Sequence, residues 1–245
     1  MSEIVKTEAI VLSKMNYGDS SSIALLFTED LGKISVIVKG ARSPKSKYGK
    51  IVDPLNYLSV VLYKKETRDL QLLSGADIIE HYPAMKNDLN KLGYAYAVAE
   101  LVKNLLADHE VSKRIFKGII KILSILNSGE EKPENTFGRF FMFLLKETGY
   151  EIQIDSCAIC GKKKFGDDPH YNFEKGLICG ECRKSVVDNY DINLELLRYL
   201  NCLKNNESAG NFSNLIARKA INFMETHLKY HVPDFKGISS LKLFN

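Results

Sequence analysis

Lys33-Ile34-Ser35-Val36-Ile37-Val38-Lys39 is a short run in which the apolar residues Ile34, Val36 and Val38 recur at every second position. Successive side chains of a β-strand point to opposite faces, so this period predicts a strand with one apolar face. The turn-forming sequence Glu29-Asp30-Leu31-Gly32 precedes the run, and another apolar run, Ser22 to Thr28, precedes that turn. The stretch therefore predicts two consecutive strands joined by a turn.

Three further segments around this stretch have strand character: Ile4 to Leu12, Tyr57 to Tyr63, and Leu70 to Ile79. Five short strands separated by turn signals within about 80 residues favour a small antiparallel barrel. The OB-fold is the first candidate because it has five strands. We therefore predict an OB-fold domain over residues 1–80.

The apolar pattern changes after residue 80. Apolar residues recur three and four positions apart, as on one face of a helix, beginning with Leu89, Leu92 and Tyr96 and again from Leu194 onward. We predict one helical domain made of residues 81–149 and 190–245, with residues 150–189 inserted into it. The predicted fold class is α+β: a five-stranded OB-fold barrel, then a helical domain with an inserted four-cysteine zinc finger.

The inserted segment contains two cysteine pairs, Cys157-Ala158-Ile159-Cys160 and Cys179-Gly180-Glu181-Cys182. Two C-x2-C pairs about 15–20 residues apart are typical of a four-thiolate zinc site. Four protein ligands close the coordination shell of zinc, which leaves no position for a substrate. The predicted metal is therefore one structural Zn²⁺ ion bound by all four cysteines, and His170, between the pairs, is not needed as a ligand.

The connection after the third predicted strand is strongly basic. From Lys39 to Lys50 it contains five basic residues and no acidic one, and it is broken by Gly40, Pro44 and Gly49. A basic groove with aromatic platforms is how a small barrel holds single-stranded nucleic acid. The predicted nucleic-acid-binding residues are Lys39, Arg42, Lys45, Lys47, Tyr48 and Lys50, and Lys33, Lys64, Lys65 and Arg68 could extend the basic surface. The alternative is a solvated basic loop without a partner.

Several classes of protein are disfavoured by the sequence. The net charge of +4 is too small to decide a class by itself. No phosphate-binding loop, nucleophile elbow or dinucleotide fingerprint is present, so we predict no enzymatic activity. No run approaches the length of a membrane-spanning helix, and the first residues do not resemble a secretory signal, so we expect a cytoplasmic protein without a membrane partner. His227 and His231 are four residues apart, but a structural role is the simpler interpretation.

The chain resembles the RecO family of bacterial recombination mediators and DNA repair proteins over essentially its whole length. The resemblance rests on both cysteine pairs and on these segments: Thr7-Glu8-Ala9-Ile10-Val11-Leu12, Asn16-Tyr17-Gly18-Asp19-Ser20-Ser21, Leu26-Phe27-Thr28-Glu29, Gly32-Lys33-Ile34, Lys39-Gly40-Ala41-Arg42-Ser43-Pro44-Lys45-Ser46, Asp53-Pro54-Leu55 and Leu228-Lys229-Tyr230-His231.

The resemblance implies an OB-fold, a helical domain and a zinc finger. It also implies binding to single- and double-stranded DNA and annealing of complementary strands. The implied partners are RecR and the C-terminal tail of the single-stranded DNA-binding protein, and indirectly RecA and RecF, in a nucleoid-associated setting. A zinc-stabilised protein-interaction adaptor without direct DNA contact is the alternative, and a zinc hydrolase is disfavoured by the closed thiolate shell.

Overall fold

A computed structural model describes residues 3–163, 165, 169–187 and 190–243. The strands are β1 (Glu3–Tyr17), β2 (Ser21–Thr28), β3 (Gly32–Val38), β4 (Tyr57–Lys64), β5 (Leu70–Glu80), β6 (His170–Asn172), β7 (Gly176–Ile178) and β8 (Tyr190–Asp191). The α-helices are α1 (Pro83–Lys86), α2 (Leu89–Leu105), α3 (Lys113–Ser128), α4 (Pro133–Glu147), α5 (Leu194–Lys204), α6 (Asn214–His231) and α7 (Ser239–Leu243), and a 3₁₀ helix spans Gly180–Ser185.

The chain forms two compact units. Unit 1 is Met1–Glu130 together with Ser239–Asn245, and unit 2 is Glu131–Ile238. Unit 1 thus contains β1–β5 with α1–α3 and α7, whereas unit 2 contains α4–α6 and the cysteine segment. The bounds predicted from sequence, 1–80, 81–149 with 190–245, and 150–189, divide the chain differently and remain a prediction.

The N-terminal strands form a closed barrel in the order β1-β2-β3-β5-β4, which confirms the predicted α+β class with an OB-fold-like five-stranded sheet. Strand β1 closes the barrel. Its 15 residues are enough for its first half to pair with β4 and its second half to pair with β2. All neighbours are antiparallel except β3 and β5, which are parallel. An odd number of strands cannot alternate in direction around a closed ring, so one parallel pair is unavoidable.

The barrel interior is filled by the alternate apolar side chains that the period of two predicted. Ile34, Val36 and Val38 are at most 3% exposed. They pack with inward-facing residues of the other strands and with two residues of the β3–β4 connection: Ala9, Val11, Ala24, Leu26, Leu58, Val60, Leu62, Leu73, Ala76, Ala41 and Val52. The connection between β3 and β4 therefore contributes to the barrel core.

Two carboxylates and a hydroxyl fix the helices of unit 1. Asp88 accepts hydrogen bonds from the first turn of α2, and Ser112, the N-cap of α3, accepts one from Ile115 N at 3.3 Å. Glu100 on α2 accepts hydrogen bonds from the backbone N–H groups of Ser239 and Ser240, both at 2.8 Å. The last helix, α7, is thereby attached to α2.

Unit 2 packs α4, α5 and α6 around buried aromatic residues, among them Phe137, Phe141 and Phe223. Arg139 on α4 pairs with Glu131 at 2.9 Å and also donates to the backbone carbonyl of Cys202 at 3.2 Å. A small sheet, in the order β7-β6-β8, carries the cysteine segment.

His227 on α6 is buried against this sheet. Its Nε2 lies 3.0 Å from the Tyr150 carbonyl oxygen, which only accepts, so Nε2 carries the proton. Its Nδ1 lies 3.4 Å from the Tyr171 hydroxyl, which therefore donates to it. With both nitrogens engaged, His227 has a packing role rather than a share in a metal site with His231. Burial, reinforced by His231, lowers the pKa of His227 to about 4.

The first prediction concerns Gly32 and Gly40, which share a φ of +66°. A Cβ on Gly32 would overlap the Glu110 carbonyl oxygen, whereas nothing lies within 4 Å of a Cβ on Gly40. Both Gly→Ala changes force an L-residue into the left-handed region, which costs about 1–2 kcal/mol. Gly32→Ala should cost about 1–3 kcal/mol more, because of the overlap. Urea unfolding of both variants measures this difference, and equal losses of stability would contradict the close approach of Gly32 to the Glu110 carbonyl.

The second prediction concerns pH. A histidine whose folded-state pKa lies below its unfolded value contributes stability above the unfolded pKa and loses it as the pH falls toward the folded pKa. Between pH 7 and pH 5 the wild-type protein should therefore lose about 2 kcal/mol more unfolding free energy than His227→Gln. Urea titrations of both proteins at each pH test this, since other acid effects cancel in the comparison. Parallel pH profiles would show that His227 is not held neutral by the fold.

Candidate metal centre and nucleic-acid interface

The four cysteines of unit 2 come together through two tight turns. Cys157 N donates to the Lys162 carbonyl at 2.9 Å, and Gly161 N, with φ +72°, donates to the Cys157 carbonyl at 2.9 Å. In the second turn Cys182 N donates to the Cys179 carbonyl at 2.9 Å. The first turn is attached to β7 by the hydrogen bond from Ala158 N to the Leu177 carbonyl. All four sulfur atoms consequently lie within 4.8 Å of one another.

The electrostatics of the cluster favour a cation. Burial raises the pKa of the Cys157 thiol, but the backbone N–H groups of Cys160, Cys179 and Ile159 lower it by more, to about 6. A hydrogen bond with the Cys179 sulfur is the main reason why the pKa of Cys182 rises to about 12. One thiolate is thus favoured, and further thiolates beside it are opposed by like charge. A bound cation would allow all four sulfurs to ionise together.

The donor set and its dimensions fit zinc. Four sulfurs each about 2.3 Å from one tetrahedral ion lie about 3.8 Å apart. The Cys160 and Cys179 sulfurs are 3.7 Å apart. His170 is not part of this group, and its Nδ1 lies 3.0 Å from an Asp191 carboxylate oxygen. The structure therefore brings together all four predicted cysteines as a group that could hold one metal ion.

The basic connection of unit 1, which we call the lysine loop (residues 39–50), is folded onto the barrel. Arg42 N donates to the Ser20 carbonyl at 2.8 Å, and the Arg42 guanidinium donates to the carbonyls of Gly18 and Asp19. At the other end, Lys14 Nζ donates to the Gly49 carbonyl at 2.6 Å. The lysine loop is therefore tied to the β1–β2 turn and to β1.

The six predicted DNA-binding residues differ in their surroundings. Tyr48 is half-buried against the barrel core, and its hydroxyl donates to the Ser74 carbonyl at 3.3 Å. Arg42 is occupied by the carbonyls of the β1–β2 turn. The other four side chains are exposed, and no carboxylate among the described residues is paired with them: Lys39, Lys45, Lys47 and Lys50. The free positive charge of the loop thus comes from lysines, while Arg42 and Tyr48 hold its shape.

The residues suggested as extensions of the lysine loop also differ in their surroundings. Lys33 is 8% exposed, and its Nζ donates to the Lys103 carbonyl at 2.7 Å and pairs with Asp108 at 3.3 Å. It is therefore a structural residue, which the strand pattern alone did not reveal. Arg68 is exposed in the β4–β5 turn, and its backbone N–H donates to the Lys65 carbonyl at 3.0 Å.

The structure adds a feature that the sequence reasoning missed, an outer apolar row on the barrel. Its members are cross-strand neighbours in an unbroken series, none of them buried: Met15, Ile23, Ile37, Leu72, Tyr63 and Ile4. Met15 is 62% exposed, and Tyr17, at the end of the same strand, is 49% exposed. The available signal was that Ile23 and Ile37 alternate with the buried residues of β2 and β3, at positions where one buried core does not require apolar side chains.

Within the described part of the chain, no helix combines the length and apolar character needed to cross a membrane.

Comparisons with known proteins give a consistent result. Residues 1–82 match the family model described as "Recombination protein O N terminal", and residues 86–237 match "Recombination protein O C terminal". Proteins named DNA repair protein RecO are similar to this chain. The protein from Chlorobium limicola is 35% identical over 159 residues, which cover 65% of this chain and 61% of that protein.

Two further relatives carry the same name. The protein from Chlorobium phaeobacteroides is 29% identical over 253 residues, covering 96% of this chain and 97% of that protein. The protein from Geobacter metallireducens is 36% identical over 182 residues, covering 74% and 73% respectively. Two family models in sequence order and relatives aligned over most of the chain lead to one conclusion: this chain belongs to the RecO family of DNA repair proteins.

Proposed function

We propose that this protein is a recombination mediator that binds single- and double-stranded DNA and anneals complementary strands. Working with RecR, it would help to load RecA onto DNA coated by the single-stranded DNA-binding protein. No catalytic group is needed for this role, since base pairing is itself downhill.

The observation that carries the proposal is the attachment of the lysine loop to the β1–β2 turn. OB-folds bind oligonucleotides on the face of strands 2 and 3 and through the β1–β2 and β4–β5 loops. The Arg42 contacts attach the lysine loop, which carries four exposed lysines, to the first of these loops. Outward-facing Ile23 and Ile37 provide apolar surface on strands 2 and 3, and exposed Met15 and Tyr17 provide it on the neighbouring end of β1. This combination of free cations and apolar platforms suits a single strand with unstacked bases.

Electrostatics explain how such a surface promotes annealing. Two DNA strands repel each other through their phosphates, and each carries condensed counterions. Lysines that replace those counterions lower the repulsion and gain entropy from ion release. Because phosphate contacts carry no sequence information, the same surface serves single and double strands.

The partners belong to the same proposal. Docking on the acidic C-terminal tail of the single-stranded DNA-binding protein would deliver this protein to coated DNA, and RecR, with RecF acting indirectly, would couple it to RecA loading. Membership in the RecO family supports these partners.

A second candidate is a protein-interaction adaptor that does not contact DNA. The outer apolar row favours it, because contiguous exposed apolar surface often marks a protein interface. Under this alternative the lysine loop is only solvated.

We propose one structural Zn²⁺ ion at the four cysteines. The four sulfurs would close its shell, so its contribution is folding free energy for a short segment whose three strands have at most three residues each.

The third prediction tests the lysine loop. Replacing Lys39, Lys45 and Lys47 by Ala should weaken binding to a single strand and reduce the log–log salt slope by about 2, or about 0.7 for each lost phosphate contact. The matched control removes three exposed lysines from the helices of unit 1, Lys103, Lys117 and Lys121, and should leave the slope nearly unchanged. Fluorescence anisotropy between low and moderate salt measures both. Equal slopes in the two variants would favour the adaptor.

The fourth prediction tests the metal. Metal analysis should find one zinc per chain, and chelation should speed backbone hydrogen exchange in β6 and β7 while leaving the exchange of β1–β5 unchanged. Cys157→Ser should mimic chelation. Cys202→Ser, which changes the one cysteine outside the cluster, should keep the zinc. Retention of zinc by Cys157→Ser would contradict the four-thiolate site.

A further inference from the structure

Unit 2 carries a group of aromatic rings that neither the zinc site nor the lysine loop explains. Phe173 follows β6, and its ring centroid lies 5.7 Å from that of Tyr190 and 5.8 Å from that of Tyr230. Tyr190 is 36% exposed and Tyr230 is 55% exposed. Two tyrosine rings therefore stand at the surface with a third aromatic ring between them.

Buried residues hold these rings in place. Phe223 on α6 is fully buried and contacts Tyr190 at 5.5 Å and Phe173 at 5.9 Å between centroids. Tyr171 is 1% exposed and contacts Phe173 at 5.5 Å. The surface rings are thus preorganised by the core, so that a ligand would not have to order them.

Tyr190 lines two open cavities of unit 2. One has a volume of about 700 Å³ and is also lined by Phe173, Tyr230 and Lys175. The other has a volume of about 440 Å³ and is also lined by Lys219. An exposed aromatic ring between two cavities, each with a lysine, provides stacking surface and a cation on both sides.

The acidic groups at this site are largely offset. The Asp191 carboxylate, which lines the second cavity, lies 3.0 Å from His170 Nδ1 and 3.8 Å from the Arg183 guanidinium. Among the described residues that line the first cavity, Glu174 and Lys175 carry charges of opposite sign. Stacking rather than charge would therefore dominate binding here.

We propose that the surface around Tyr190 and Tyr230 is a second binding site for single-stranded DNA, separate from the lysine loop. Bases of a single strand have free faces that stack on aromatic side chains whatever their sequence, whereas the bases of a duplex do not. The inference rests on the proposed function, because it assigns a second strand to a protein that anneals two. One strand on the barrel and another on unit 2 would allow a single chain to hold both substrates.

The absence of tryptophan from the chain makes a direct test possible. Tyr190→Trp introduces a single tryptophan that keeps an aromatic ring at the site, and Tyr230→Trp does so at the neighbouring position. Leu215→Trp, at a 64% exposed position at the start of α6, is the control in unit 2. Tyr17→Trp reports on the barrel. Each full-length variant is titrated with oligothymidine and, separately, with duplex DNA.

We expect oligothymidine to quench Tyr190→Trp and Tyr230→Trp strongly, to quench Leu215→Trp little, and duplex DNA to quench none of these three. Quenching of Tyr17→Trp without quenching at positions 190 and 230 would overturn the second site and leave the proposed function intact. If oligothymidine quenches none of the four variants and the wild type does not bind it, the proposed function fails as well. Equal quenching of Tyr190→Trp by duplex DNA would overturn the assignment to single strands.

A functional readout complements the titration. Losing stacking on one base weakens single-strand contacts by about tenfold, so Tyr190→Ala combined with Tyr230→Ala should slow strand annealing about tenfold. Binding of one oligonucleotide through the lysine loop should change less than twofold in this variant. An unchanged annealing rate would exclude these tyrosines from the reaction.

Discussion

Closure of the barrel is the constraint on which unit 1 depends. Five strands in a ring need one parallel pair, here β3 with β5, so β4 cannot lie beside the strand that precedes it. The chain must leave β3, cross the end of the barrel and enter β4 between β1 and β5. Residues 39–56 are that crossing. Ala41 and Val52 close the core beneath it, and Lys39, Lys45, Lys47 and Lys50 are left at the surface. The topology thus requires a long loop at this end of the barrel, and the lysines give that loop its positive charge.

The cysteine segment of unit 2 obeys a different constraint. Its strands contain two or three residues each and cannot bury enough apolar surface to fold alone. Two local turns instead point four sulfurs at one place, while Tyr171 connects the segment to α6. The sulfur cluster and the aromatic contacts thus complement each other: the first organises the turns, and the second attaches the small sheet to the helices.

Local signals were predictable from sequence, and long-range partners were not. Alternation revealed the strands, and the spacing of Cys157 and Cys160 revealed the first cysteine turn, because each depends on residues a few positions apart. The burial of Lys33 depends on the Lys103 carbonyl, and the role of Arg42 depends on the carbonyls of Gly18 and Asp19. Both look like ordinary surface cations in the sequence. The rings around Phe173 were missed for the same reason, since Tyr190 and Tyr230 reach Phe173 only in the folded unit.

The attachment of α7 to Glu100 affects the order in which the two units can fold during translation. Unit 2 is inserted into unit 1, because the chain leaves unit 1 at Glu130 and returns to it at Ser239. During synthesis the Glu100 carboxylate therefore cannot accept hydrogen bonds from the Ser239 and Ser240 N–H groups until all of unit 2 has been translated. Unit 2 can fold as a continuous segment before unit 1 is complete. The four cysteines can thus come together before the last step in the folding of unit 1.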